Sequence, residues 1–599
     1  MNDNAPAIQA DGVRIRGDDY VAEAGWFGPE ARPRFGWLYR PDTPARNGIG
    51  VVIVPPFGRE EICAHRSLRH LAEDMAGAGF TAVRFDLDGT GDSAGGDGDP
   101  GRVEAWLASV HDACDLARGA GAAHLVLVGV RLGATLAALA AGKRTDVGAL
   151  VAFNAVIHGK AYLRELRAFQ MAMNLQPSPQ AAAASGQESS GFLLGDEACA
   201  ALKAIDLVAL DAPPAPIVEV VERDDLSGRD DWSTHLQGLG ARVHVHRAGG
   251  YVDMLADPHA NRVAREFIGI CIACARSLPD ATGAAPSAQT QSLRSVITLR
   301  VGDAAVVEEV VAPGEGMFGI LARPPAGTAE RGVLMFNAGA IRHIGSNRTD
   351  VPLSRRLAAA GLQVLRADLT GIGDSTARAG EAENIVYGPH CLADAEVLVA
   401  WLRARGVREL SAGGMCSGAW LALRAAMAGQ PIARAYLVNC GVFTPTVAFD
   451  PEGSSLFGDI AHYNQSVRSS RAWRKLLRGQ VAFGTIMRVA GWHMASRGKR
   501  LLREAARRVG LPLRGDLGGE LTKLARRGVA VHFLYAANDP GLTILRTAAG
   551  SVLPRWCRAG VFATRVFDGP DHTFTQRWAQ QLLDQTLLTV LKAPARNPR

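Results

Sequence analysis

The chain has 599 residues, 48% of them hydrophobic, with 65 Lys and Arg against 59 Asp and Glu, a formal charge of +6. That length exceeds one ordinary core and predicts two domains, while the charge is too mild for a nucleic-acid binder. Nine scattered cysteines match neither a disulfide framework nor a zinc pattern, so no metal is expected, and Cys271 and Cys274 read as core packing.

The N-terminal MNDNAPAIQADG has neither a basic nor an apolar region, and no run of about 18 uncharged apolar residues follows, which predicts a cytoplasmic protein without a transmembrane segment. The first strand signal of the parallel type is VVIVPP, Val51 to Pro56. An amphipathic helix, a β-branched strand and the turn D-L-x-G-x-G-D-S follow in Leu68 to Gly95. Next comes LVGVRLGATLAALAAG, a strand and helix joined by a turn in which Gly129 and Gly133 flank Arg131. Further on, PIVEVVERDD ends a strand near Asp224, and HRAGGYVDML presents Asp253. Ser277 to Ser292 lacks apolar period and reads as an exposed linker.

The second half repeats the first. GVLMFN (Gly332 to Asn337) precedes Leu353 to Ala377, which carries the same helix, strand and D-L-x-G-x-G-D-S turn. Strands alternating with helices, each strand a continuous apolar run, predict a parallel sheet covered on both faces in each half. The expected organisation is residues 1–276, a linker 277–292 and residues 293–599.

The turn that closes the second repeat holds a cysteine. Gly414-Met415-Cys416-Ser417-Gly418 has the form of a nucleophile elbow, where the central residue is backbone-strained and larger flanking residues would collide with neighbouring elements. Such an elbow orders nucleophile, acid and histidine along the chain. GVAVHFLYAANDPG presents Asp539 and FATRVFDGPDHTF presents His572, each where a strand runs into a turn. Cys416 is the expected nucleophile, His572 the general base and then acid, and Asp539 the carboxylate orienting the imidazole. A thiolate can exist near neutral pH beside an imidazolium at a helix start, and its acyl product is a thioester that amines, thiols and alcohols accept.

Between RAYLVNC and the acid strand lies an insertion, residues 442–527, expected to form a helical lid. Its stretch from Arg468 to Arg527 holds sixteen Lys and Arg against three Asp and Glu. A basic lid suits an anionic donor such as coenzyme A, phosphopantetheine on an acyl carrier protein, or a charged saccharide lipid.

This organisation resembles the α/β-hydrolase superfamily over nearly the whole chain, twice. The turn D-L-x-G-x-G-D-S, the cysteine elbow and YNQSVRSSRAWRKLLRGQV (Tyr463 to Val481) look like hydrolases associated with exosortase systems. The arginine elbow is similar to a second family from the same clusters. The resemblance implies two tandem α/β-hydrolase domains and an oxyanion hole made by the Ser417 amide with that of Ala338 or Gly339. It implies a silent first half, because a guanidinium is no nucleophile, Asp253 stands where a histidine belongs, and Pro55 and Pro56 donate no amide hydrogen. There Arg131 is expected to pair with Asp253 or Asp224.

The function expected is acyl transfer or (thio)ester cleavage through an acyl-cysteine, with no cofactor beyond the donor's own coenzyme A or phosphopantetheine. A small-molecule carboxylester hydrolase and a non-catalytic ligand-binding protein stand as alternatives.

Overall fold

In a computed structural model the described residues are 13–43, 48–173, 186–226, 231–279, 292–325, 329–443 and 516–595. The linker, except for its ends, and residues 444–515 of the expected lid lie outside them. Nine strands and a short ribbon pair account for the first half's β-structure. They are β1 (Arg14–Arg16), β2 (Tyr20–Phe27), β3 (Arg34–Pro41), β4 (Ile49–Val54), β5 (Thr81–Phe85), β6 (His124–Val130) and β7 (Val147–Phe153), then the ribbon β8 (Gln187–Ser189) with β9 (Phe192–Leu194), and β10 (Ile217–Arg223) and β11 (Arg242–Ala248). Without the ribbon they form one nine-stranded sheet in the order β1-β2-β3-β5-β4-β6-β7-β10-β11.

The first strands pair antiparallel, and from β5 through β11 every pairing is parallel. The reason is visible in β6, where Leu125 and Leu127 pack into one apolar cluster and Val126, Val128 and Val130 into another. Successive side chains point to opposite faces, so a strand buried on both must be apolar throughout. Helices Arg102–Gly119 and Leu132–Ala141 cover one face, and Arg59–Gly77 and Arg265–Ser277 the other. Cys271 and Cys274 lie buried in the last of these, as expected of core residues.

A second nine-stranded sheet repeats the pattern. Its strands β12 (Val296–Val301), β13 (Ala304–Val311), β14 (Gly319–Arg323) and β16 (Gln363–Ala367) run antiparallel. β15 (Arg331–Met335), β17 (Glu409–Met415), β18 (Arg434–Val438), β19 (Ala530–Ala536) and β20 (Phe562–Phe567) run parallel in that order. The fold is therefore α/β, with two tandem sheets of the α/β-hydrolase kind. The chain also divides into two compact units: Met1–Ala329, Ala340–Ile385 and Thr575–Leu588 make one, and Glu330–Gly339, Val386–Phe574 and Thr589–Arg599 the other. Among the described residues no helix is long and apolar enough to cross a membrane.

The repeated D-L-x-G-x-G-D-S turn has the same internal bonding twice. Asp86 accepts from the Asp92 amide and Asp368 from the Asp374 amide, both at 2.9 Å. Ser93 and Ser375 donate to the Asp86 and Asp368 carbonyls at 2.8 Å, and accept from the Phe35 and Phe318 amides at 2.9 Å. Glycine is required at the second glycine of the repeated turn, because a Cβ on Gly91 would fall 2.0 Å from the Asp86 carboxylate and one on Gly373 2.4 Å from that of Asp368.

Both turns lie in the first compact unit, where they exchange arginines. Arg84, which precedes the first turn, donates to Asp374 at 2.6 Å, and Arg366, which precedes the second, donates to Asp92 at 2.6 Å. His343 bridges Asp368 at 2.8 Å and Asp92 at 2.6 Å, and Arg342 donates to Asp86 at 2.7 Å and Glu61 at 2.8 Å. All these groups are buried. Desolvating so many charges is costly, and the arrangement holds because each carboxylate meets a cation.

Burial alone would lower the pKa of His343, but the charges of Asp92 and Asp368 overcome it and raise the group from 6.5 to about 10. The folded imidazolium thus keeps its proton to about pH 10, whereas the unfolded chain releases it near 6.5. Its stabilisation is complete below pH 6.5 and is lost as pH rises through 10. His343→Gln should destabilise the protein by roughly 3–5 kcal/mol at pH 6, as expected when one member of a buried ion pair is removed. In denaturant titrations from pH 6 to 10 the gap between wild type and variant should shrink. A gap that stays constant would mean that His343 is neutral.

Candidate active site

β17 runs into the helix Ser417–Met427 with Cys416 at the junction, at φ 53 and ψ −108. The flanking glycines are a steric necessity. A Cβ on Gly414 or Gly418 would lie 2.7 Å from the Phe336 carbonyl oxygen. The apex side chain is thereby held at a helix N-terminus, where unpaired amides favour negative charge.

Asp539 follows β19 and caps the helix Pro540–Ala549, accepting from the Gly541 amide at 2.8 Å. Its other oxygen meets Nδ1 of His572 at 2.5 Å, at the end of the loop after β20. Asp539 is buried, and the His572 side chain is about half-exposed. Burial would raise the Cys416 thiol, yet hydrogen bonds from His572 and Tyr387, the imidazolium charge and the Ser417 amide bring it below its usual value of 9.0. Desolvation would lower His572, but its bonds to Asp539 and Cys416 raise it to about 10. These interactions favour a thiolate beside an imidazolium in the Cys416–His572 pair. The structure brings together the three residues expected from chain order.

Of the expected oxyanion donors, the Ser417 amide is directed at the cysteine sulfur. Ala338 and Gly339 follow β15, Ala338 being buried, and the Gly339 amide donates to Ser417 Oγ at 2.7 Å. Two further residues were invisible in the sequence. Asn439, at φ 47 after β18, donates to the His572 carbonyl at 2.6 Å and accepts from the Ala536 amide at 2.9 Å, tying the histidine loop to the acid strand. The available signal was its repetition, since Asn154 ends the equivalent strand at the same φ. The other is Tyr387, whose hydroxyl lies 3.5 Å from the Cys416 sulfur.

The first elbow has the same backbone. Arg131 sits at φ 54 and ψ −123 before the helix Leu132–Ala141. Cβ atoms on Gly129 and Gly133 would lie 2.4 Å from Ala134 Cα and from the Val54 and Pro55 carbonyls. The expected ion pair, however, is replaced. Arg131 donates to Glu60 at 2.8 Å and Glu165 at 2.5 Å, and Asp224 and Asp253 are both exposed. Two register effects explain the correction. Asp539 lies five residues after Leu534, which receives the Asn439 amide; the matching acceptor is Val221, and five residues on is Leu226, not Asp224. Asp253 falls in the short helix Tyr251–Met254, which buries Tyr251 and Met254 and turns Asp253 outward. A cavity of about 420 Å³ opens at this elbow, lined among others by Arg131, Asn154, Tyr162, Arg223 and Trp232.

Among the described residues, His343, Asp368 and Asp374 bring ligand atoms within 4.8 Å of one another. Both imidazole nitrogens there already meet carboxylates and Arg84 holds Asp374, so protein cations occupy the group.

The sequence profile of the family described as "Serine aminopeptidase, S33" matches residues 58–214. Solved structures similar to this chain include proline iminopeptidase of Mycobacterium smegmatis, at 14% identity over 42% of this chain and 98% of that one, with a TM-score of 0.32. Another is Est1E of Butyrivibrio proteoclasticus with ferulic acid bound, at 15% identity over 42% and 96%, with a TM-score of 0.33. No curated protein sequence matches the chain.

The contact with His572 predicts a reactive thiol at Cys416. Iodoacetamide should alkylate it ahead of the half-buried Cys199 and Cys557, with a rate–pH inflection below 9.0. His572→Ala should move that inflection upward. An inflection at or above 9.0 in the wild type would rule out the resting ion pair.

Proposed function

We propose that this chain is an α/β-hydrolase enzyme that cleaves or transfers acyl groups from esters or thioesters through an acyl-cysteine at Cys416. The observation that carries the reading is the thiol of Cys416 at a helix start, engaged by His572, which Asp539 orients at 2.5 Å.

In the proposed reaction the Cys416 thiolate attacks the acyl carbonyl carbon and the carbonyl π electrons move to oxygen. That oxyanion forms beside the Ser417 amide. The tetrahedral species collapses, the carbonyl re-forms, and the leaving thiolate or alkoxide takes its proton from the His572 imidazolium. Neutral His572 then deprotonates water or another acceptor, which attacks the thioester, and the second collapse returns the Cys416 thiolate and releases the acyl product. Asp539 holds the imidazole in the tautomer this requires.

The donor is proposed to be an anionic thioester, a coenzyme A or phosphopantetheine conjugate on a carrier protein, because sixteen basic residues against three acidic ones lie between Arg468 and Arg527. The proposed setting is the cytoplasm, and the narrower kinship with exosortase-system hydrolases belongs to the same reading. The first half is proposed to be a pseudoenzyme, since its elbow carries an arginine locked to two carboxylates.

Cys416→Ala should lower kcat at least about 1,000-fold with a short-chain acyl thioester. Cys416→Ser should keep only a small remnant, because its hydroxyl must be deprotonated during attack. Replacing the buried Cys114 or Cys391 should leave turnover unchanged. Full activity in Cys416→Ala would refute the assignment.

A further inference from the structure

The segment leading into the helix Cys391–Ala404 holds a tyrosine in an unusual setting. Tyr387 has φ 64, in the left-handed region where a Cβ is crowded and an aromatic residue persists only if its surroundings dictate it. Its ring meets Trp420 edge to face, centroids 5.2 Å apart at 76°. Trp420 belongs to the helix that starts at the cysteine elbow, so backbone and ring together aim the hydroxyl at Cys416 Sγ, 3.5 Å away.

One of the two expected backbone donors after β15, the Gly339 amide, is engaged. The Gly339 amide donates to Ser417 Oγ at 2.7 Å, and that hydroxyl donates onward to the Asn337 carbonyl at 3.1 Å. The Ser417 amide faces the sulfur, and a tetrahedral oxyanion is stabilised best by two donors.

We propose that Tyr387 is a catalytic residue whose hydroxyl serves, with the Ser417 amide, as the second donor of the oxyanion hole. The inference rests on Cys416 being the nucleophile. Before attack the negative charge sits on sulfur, and after attack it sits on the former carbonyl oxygen, bonded to the carbon that sulfur has just joined. A hydroxyl in contact with the thiolate needs only a small displacement to follow that charge. Tyr387 transfers no proton: it donates a hydrogen bond while the C=O electrons reside on oxygen, and reverts to the sulfur when the carbonyl re-forms and the leaving group departs with the imidazolium proton. Burial beside the thiolate pushes the phenol pKa far up, which keeps the hydrogen in place.

The test compares two electrophiles on the full-length chain, both at the alkaline plateau where the thiolate is fully formed. Acylation by p-nitrophenyl acetate passes through an oxyanion, and alkylation by iodoacetamide does not. Tyr387→Phe, which keeps the ring against Trp420, should melt at the wild-type temperature, lose about 100-fold in acylation rate and stay within about threefold in alkylation rate. Equal losses with both reagents would make Tyr387 a group that positions or activates the thiolate, and no loss with either would make it structural. Either result overturns the proposal. A wild-type protein that shows no acylation burst at all would overturn the nucleophile assignment itself, a result distinct from the other two.

Discussion

The left-handed backbone at the two elbows is the constraint on which the rest depends. Cys416 and Arg131 adopt nearly the same conformation, φ 53 and 54, an unfavourable one for a residue with a Cβ. It is maintained because the strand before and the helix after are packed closely enough that only glycine fits on either side. The geometry delivers one side chain to a helix N-terminus and is indifferent to which. Placed there, a thiol gains from the amides and its pKa is drawn below the usual value. A guanidinium meets the wrong end of the dipole, and the structure surrounds it with Glu60 and Glu165. One backbone solution thus holds a thiol in one half and an arginine paired with two carboxylates in the other.

The second repeated feature acts at a different level. The turn D-L-x-G-x-G-D-S closes on its own aspartate, which requires glycine at its centre, and then offers its remaining carboxylate oxygens to cations. Because the two turns exchange Arg84 and Arg366, each repeat satisfies charges that the other buries. Neither turn could stay dry alone, since Asp92 and Asp374 without those arginines would be buried anions. Duplicated carboxylate turns and their arginines are therefore one structural device.

Chain order made much of the candidate site legible. Cys416, Asp539 and His572 were recognisable because an elbow, an acid and a histidine each follow a strand, and strands announce themselves by continuous apolar runs. The same logic failed in the first half at Asp224 and Asp253. A two-residue displacement after β10 and one turn of helix after β11 sufficed to expose both, and neither is encoded in strand periodicity. Glu60 and Glu165 could not be anticipated, since they reach Arg131 from helices that pattern reading treats as scaffolding. Tyr387 was silent for another reason: it lies outside regular elements, and its position follows from a backbone conformation that sequence pattern does not report. The basic insertion was legible as charge alone.

The central claim is that an acyl group resides covalently on Cys416 during turnover. The most direct measurement is the intact mass of the wild-type protein, acid-quenched within the first turnover with an acetyl thioester and then digested to locate the adduct. The account predicts one acetyl group per chain, on the peptide carrying Cys416, removable by neutral hydroxylamine and missing from Cys416→Ala. Substrate cleavage without an adduct, or an adduct on any other residue, would contradict it.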